Sequence, residues 1–269
     1  RLNIDTIFNQ KKEIRDTRLV LTLEDVNKDM ADIVGSKMAN IGEIKNVLGI
    51  STPEGVVITS AAYETFVSEN NLQTEIDRLF QTAGGDNLQE FDILSAQIQQ
   101  YIINADMPDS LADAINRAWK KLESKSEFGK QTMVALRSSA IGEDFQDSSF
   151  AGQYRSILNA SVENIFHSYK EVLAGKYSVQ AISYRLNRGF KDEDISMCVG
   201  CMDMVAAEAG GVIYSHSPVD MDDDSIFINS VWGLPKSVVD GSDSNDQFVV
   251  SRKPAIKLVS EDVRTKKIK

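Results

Sequence analysis

The sequence is poor in residues that staple a chain, ligate metals or cross membranes. Its 269 residues include two cysteines, Cys198 and Cys201, too few for a disulfide framework. Their C-x-x-C spacing has no second pair, and the stretch around it is apolar and strand-like, so a zinc or redox centre is not expected. Structural thiols in a reducing, cytoplasmic compartment are the reading. No run of 18 or more apolar residues occurs, which excludes a membrane-spanning helix. Positive charge is in deficit: 29 Lys and Arg against 40 Asp and Glu leave a net charge of −11. That balance excludes a basic footprint for nucleic acid or an anionic membrane. A polyanion could still be held, but only by a few placed cations and backbone amides. The phosphate-binding run GxxxxGK[ST] and the dinucleotide fingerprint GxGxxG are both missing.

What remains is an ordinary globular composition, 42% hydrophobic and 26% charged, at a length that suits one large domain or two lobes. The chain starts at Arg1 without a signal-peptide pattern and ends in the basic "RTKKIK", so it is read as a piece of a longer protein.

Apolar periodicity divides the chain unevenly. Residues 1–20 are polar and charged, an arm leading into the first lobe. "TRLVLTLED" (17–25) alternates like a strand, and "SKMANIGEIKNVLG" (36–49) has helical spacing that ends at Gly49. After a turn at Pro53 come a strand over 56–59 and a helix capped by Thr59 or Ser60. Residues 72–122 read as three helices, the last capped by Asp109 or Ser110. "QTMVALRSSA" is a strand, "YRSILN" another, and the helical stretch from Val162 to Gly189 breaks near Gly175. From residue 196 short strands dominate. The expectation is a mixed α and β chain of α+β (α/β) class in two lobes, 1–195 and 196–269.

The chemistry concentrates in "RSSAIGEDFQDSSFAGQ" (137–153). Arg137 follows an apolar strand, so a sheet holds its Cα while its permanently charged fork projects to grip phosphate oxygens in pairs. Ser138, Ser139, Ser148 and Ser149 add hydroxyls, and Gly152 allows close backbone approach. These are the parts of a polyphosphate clamp. An arginine paired with Glu143 or Asp144 in a serine-rich turn is the plainer alternative. A second cation, Lys37, sits behind Gly35 at a helix start, where ammonium and amides can share an anion. A solvated lysine is the alternative there. The acidic stretches "DMDDDS" (220–225) and "DGSDSNDQF" (240–248) lack the glycine and twelfth-position glutamate of a calcium loop and read as solvated loops.

In order along the chain, "VGSKMANIGEI" (34–44), "ISTPEGVVITSAAY" (50–63), "LRSSAIGEDFQDSSFAGQYRSILN" (136–159), "AISYR" (181–185), "GCMDMVAAEAGGVIYSHSP" (200–218) and "WGLPKSVVDG" (232–241) resemble the N-terminal nucleotide-binding domain of the phosphoenolpyruvate synthase and pyruvate phosphate dikinase family. The likeness runs from about residue 30 to 253. It implies an ATP-grasp-like fold with ATP between two lobes. By that resemblance Lys37 meets the phosphates, Arg137 is the catalytic arginine that steadies the transferred group, and Gly152 and Ser156 line the phosphate loop. Met202 borders the adenine, and Met204 and Val205 read its edge through backbone groups.

The family chemistry passes a pyrophosphoryl group from ATP to a carrier histidine on a separate domain, and thence a phosphoryl group to pyruvate on a barrel domain. Both partner domains are expected outside this chain, because His167 and His216 lack the carrier's Thr-Ser-His context. The Mg²⁺-binding segment is expected beyond residue 269, so no metal ligand is assigned here and the piece alone is expected to be inactive. The chain departs from the family pattern at Met202 (usually Gln), Ser217 (usually an acid), and Pro235 and Lys236 (usually Gly and Glu). Other acceptors, in antibiotic or glucan phosphotransferases, and a non-catalytic nucleotide sensor remain open.

Overall fold

The computed structural model of the chain describes residues 16–82, 88–141, 144–145, 148–149, 155–192, 195–217, 219–220, 222–241, 244–253 and 255–263. It divides into two compact units, Arg1–Met204 and Val205–Lys269.

The first unit is built on a five-stranded antiparallel sheet. Its strands are β1 (Val20–Thr22), β2 (Gly55–Ile58), β3 (Val134–Ala140), β6 (Ser156–Ala160) and β7 (Met197–Asp203), in the order β1-β2-β7-β3-β6. Two short strands, β4 (Asp144–Phe145) and β5 (Ser148–Ser149), pair as a hairpin within the serine-rich motif. The central strand β7 comes last in sequence, and its run Met197–Cys201 is buried throughout. An inner strand covered on both faces has no solvent side, so its sequence reads as a continuous apolar run rather than an alternation.

One face of the sheet is covered by helices α2 (Ser60–Glu69), α3 (Leu72–Thr82), α4 (Leu88–Asn104), α5 (Asp109–Glu123), α6 (Ile165–Ala174) and α7 (Val179–Arg188). Leu111, Ile115, Trp119 and Leu122 of α5 form a buried stripe at helical spacing and join Val134, Leu136, Val199 and Cys201 of the sheet in the main core. Each such fully buried side chain contributes about 1.5–3 kcal/mol. Among the described residues the other face is covered by one α-helix, α1 (Ala31–Asn46), whose Val34, Met38 and Ala39 pack with Leu21, Val57 and Cys198 in a smaller core. Thr59 caps α2 as expected, its hydroxyl accepting from the Ala62 amide. Helix α5 departs from expectation: Pro108 holds the cap position without a side-chain bond, and Asp109 is the first helical residue. There its charge complements the helix dipole instead.

The second unit is a four-stranded antiparallel meander of β8 (Ala209–Tyr214), β9 (Ile226–Trp232), β10 (Asp246–Ser251) and β11 (Lys257–Asp262), with the short helix α8 (Lys236–Asp240) between β9 and β10. The units part after Met204 rather than at the expected 195/196. The turn toward strand-rich composition starts at β7, but β7 pairs along its length with β2 and β3 and so belongs to the first sheet.

Candidate phosphate-facing site

Arg137 lies in the middle of β3, between Leu136 and Ser138, which are turned into the main core. Alternation along a strand then sends Arg137 to the opposite face, the side covered by α1. It stands directly across from Ser156 on β6 and from Gly200 on β7. Two small neighbours leave its long side chain room, and the residue is exposed. Ser156 is exposed as well, on the same face. Glu143, the alternative ion-pair partner, and the side chain of Asp144 lie outside the described residues, as does Gly152.

Helix α1 is interrupted at Gly35, whose φ of 75° and ψ of 157° are not helical. The helix that carries Lys37 therefore restarts at residue 36, with Gly35 in the capping position and no side chain of its own to cap with. The missing acceptor comes from the sheet: Ser139 Oγ accepts the Met38 amide at 3.2 Å. A Cβ on Gly35 would lie 2.0 Å from the Ser139 carbonyl oxygen, so glycine is required on two counts. One turn on, Met38 rests on Gly200, where a Cβ would come within 2.2 Å of its sulfur. The Cys198 thiol donates to the Ile33 carbonyl at 3.3 Å. Three contacts thus pin the helix start to β3 and β7. Lys37, half-buried, is fixed in sequence next to a residue that touches the strand partner of Arg137.

Met202 lies on the same face, paired with Ala135 and Gly55 and packed against the smaller core. It is a diagonal neighbour of Arg137, about 7–8 Å away by strand geometry. Met204 differs from expectation. Its amide donates to the Met133 carbonyl at 2.9 Å, which leaves only its carbonyl to meet a ligand edge. The Val205 carbonyl accepts from Ala207 at 2.9 Å. The Val205 amide has no hydrogen-bond partner among the described residues.

The remaining residues singled out in the sequence are placed as follows. His167 is exposed on α6, and His216, beyond β8, lies 3.9 Å from Asp224. Asp224 also pairs with Arg252 at 3.7 Å and Lys253 at 3.5 Å, so the acidic loop is tied to nearby cations of its own unit. Ser217 is buried, and its hydroxyl accepts the amides of Val219 and Asp220 at 3.3 and 3.1 Å. A serine there closes a local turn. Pro235 caps α8, and its ring lies 2.7 Å from where a Cβ of Gly210 would stand. Both cysteines are buried and free, with burial pushing the Cys201 thiol up to about 12 and Cys198 higher still.

Sequence reasoning missed one feature. Lys176 and Arg185 are both buried, and both reach Asp192 Oδ1, at 3.2 and 3.4 Å. Tyr177 donates to Asp192 Oδ2 at 2.6 Å, and Lys176 donates to Tyr63 at 2.8 Å. Arg185 belongs to the "AISYR" motif, but nothing local marks Lys176 as an interior cation. Two cavities, of about 500 Å³ at Arg117 and Trp119 and about 480 Å³ at Arg185 and Asp192, contain none of the expected site residues.

An antiparallel sheet that presents an arginine and a serine beside a lysine-bearing helix start has the parts of an anion-binding α+β domain. The sequence comparisons name its family. Residues 31–269 match the family described as pyruvate phosphate dikinase, AMP/ATP-binding domain, and the chain belongs to it. Among its relatives, phosphoenolpyruvate synthases of Helicobacter pylori and Aeropyrum pernix are each 35% identical, over 239 and 237 residues, covering 87% of this chain and 29% of theirs. A rifampicin phosphotransferase of Bacillus cereus is 30% identical over 253 residues, 93% of this chain and 28% of its own. The chain thus spans about three tenths of the length of these relatives.

Proposed function

We propose that this chain is the ATP-binding part of a longer dikinase, of ATP-grasp-like fold, that donates the pyrophosphoryl group of ATP to a carrier histidine on another domain. The observation that carries this reading is the Met38–Ser139 hydrogen bond at 3.2 Å, which fixes the Lys37 helix start on the strand and face of Arg137.

In the proposed step a histidine nitrogen attacks the β-phosphorus of ATP. A nitrogen–phosphorus bond forms, the bond from that phosphorus to the α,β-bridging oxygen breaks, and AMP leaves. Arg137 supplies paired donors to the oxygens of the group in transfer. Lys37 offsets the charge of the triphosphate, Ser156 offers a hydroxyl beside Arg137, and Gly152 lets the backbone come close. Met202 gives the adenine an apolar wall in place of a polar contact, and the Val205 amide, rather than that of Met204, faces its edge.

Mg²⁺ is the counter-ion such chemistry calls for, yet no group of three or more His, Cys, Asp or Glu side chains among the described residues could hold a metal. No metal step is therefore assigned to this chain. The carrier domain and a pyruvate-binding barrel belong to the longer protein. Pyruvate is the favoured final acceptor because the relatives at 35% identity are named for phosphoenolpyruvate synthesis. Two buried, unpaired thiols fit a cytoplasmic home.

Isotope exchange tests this reading. Full-length protein should move label from AMP into ATP without pyruvate, and Arg137→Ala should slow that exchange at least 100-fold. Absence of exchange in the unaltered protein refutes pyrophosphoryl transfer and leaves a nucleotide sensor.

A further inference from the structure

We infer that Ser139 is a positioning residue for the triphosphate: it caps, from a neighbouring strand, the helix that carries Lys37 and so sets the spacing between Lys37 and Arg137. This rests on the proposed nucleotide site and adds to it a residue that touches no ligand.

A helix start leaves several amides without partners, and the residue in the capping position ordinarily satisfies one of them with its own side chain. Gly35 cannot. Its backbone is held at a φ of 75°, a conformation natural to glycine, and any Cβ would collide with Ser139. The acceptor for Met38, the third helical residue after the interruption, is instead the Ser139 hydroxyl, 101 residues further along the chain. Ser139 is fully buried and Met38 nearly so, so water cannot replace the bond if it is lost.

The mechanical consequence follows from the register. Ser139 and Arg137 project to the same face of β3, two residues apart, while Lys37 precedes the capped Met38. One hydrogen bond therefore ties the backbone of one cation to the strand of the other. Met38 on Gly200 and Ile33 on Cys198 support the same seat from β7. None of these contacts is made by Lys37 or Arg137 themselves. Removing the Ser139 hydroxyl should thus loosen Lys37 while leaving Arg137, the sheet and the adenine end in place.

The test compares ATP with AMP, because only ATP carries the β- and γ-phosphates that both cations are proposed to share. Calorimetry on full-length protein should give Ser139→Ala an ATP affinity about tenfold weaker, with AMP changed less than about twofold. Ser139→Cys, which keeps the shape but is a poor acceptor, should shift the ratio the same way and serves if the alanine variant does not fold. In a Lys37→Met background the serine substitution should add nothing further, because its effect runs through Lys37. Equal losses for ATP and AMP, or effects that simply add to Lys37→Met, would make Ser139 a stability residue only and overturn the inference. If Lys37→Met and Arg137→Ala themselves leave ATP binding unchanged, the nucleotide site is at fault rather than the role of Ser139.

Discussion

Arg137 and Ser156 stand directly opposite each other across the antiparallel pair β3–β6. The pairing joins two ends of the serine-rich motif, 19 positions apart in the chain, and puts a guanidinium and a hydroxyl on one face of a sheet. Replacement of Arg137 by alanine should weaken Mg-ATP binding at least tenfold in calorimetry, the worth of a charge-assisted contact. Lysine should recover only part of that, since an ammonium cannot present two parallel donors to one phosphate.

Gly35 and Gly49 both have positive φ, at 75° and 64°, but differ in what surrounds them. A Cβ at Gly49 meets nothing within 4 Å, whereas at Gly35 it meets backbone at 2.0 Å. Gly49→Ala should cost about 1–2 kcal/mol, the conformational term alone. Gly35→Ala should cost clearly more, because a helix or a strand must move. Denaturant midpoints of the two variants, measured side by side, check the difference.

The Asp192 carboxyl is pushed up by burial, but Lys176 and Arg185, with hydrogen bonds from Tyr177 and Lys176, hold it below its ordinary value of 3.8. A group that ionises more readily when folded stabilises the fold fully above its unfolded value, and that stabilisation fades as pH falls through the lower folded value. Asp192→Asn leaves two buried cations without a counter-charge, at about 3–5 kcal/mol. The deficit should be complete near neutral pH and should shrink below about pH 4. A stability profile that runs parallel to that of the unaltered protein down to pH 2 would rule this out.

Both thiols should resist chemical labelling in the folded state. Cys198 and Cys201 are fully buried, and with burial raising both, little thiolate forms at pH 8. Thiol titration should count none in native protein and two after denaturation, and oxidants should yield no disulfide between them.

Much of this architecture could be read from residues alone. Three helices between residues 72 and 123, the Thr59 cap and the strand leading into Arg137 are local matters of period and capping, and each formed as expected. Other features were out of reach. The strand-rich composition begins at β7, yet β7 sits at the centre of the first sheet, because backbone pairing rather than composition decides which sheet a strand joins. Asp109 had the right chemistry for a cap, but the chain enters α5 one residue earlier, at Pro108. Met204 and Val205 were expected to read a ligand edge through backbone groups, yet the Met204 amide is taken by the Met133 carbonyl, which continues the β3–β7 pairing by one residue.

By itself the sequence determined the mixed class, the shortage of thiols and positive charge, the family, and which cations could meet a polyanion. Only the tertiary structure decided that Lys37 starts a helix capped by Ser139, that Gly200 makes room for Met38, and that Lys176, Arg185 and Asp192 share the interior. The reason is one of range. Periodicity and capping act over a few residues, but the partner of a buried amide or charge is chosen by whatever the fold brings beside it, here from as far as 101 positions away.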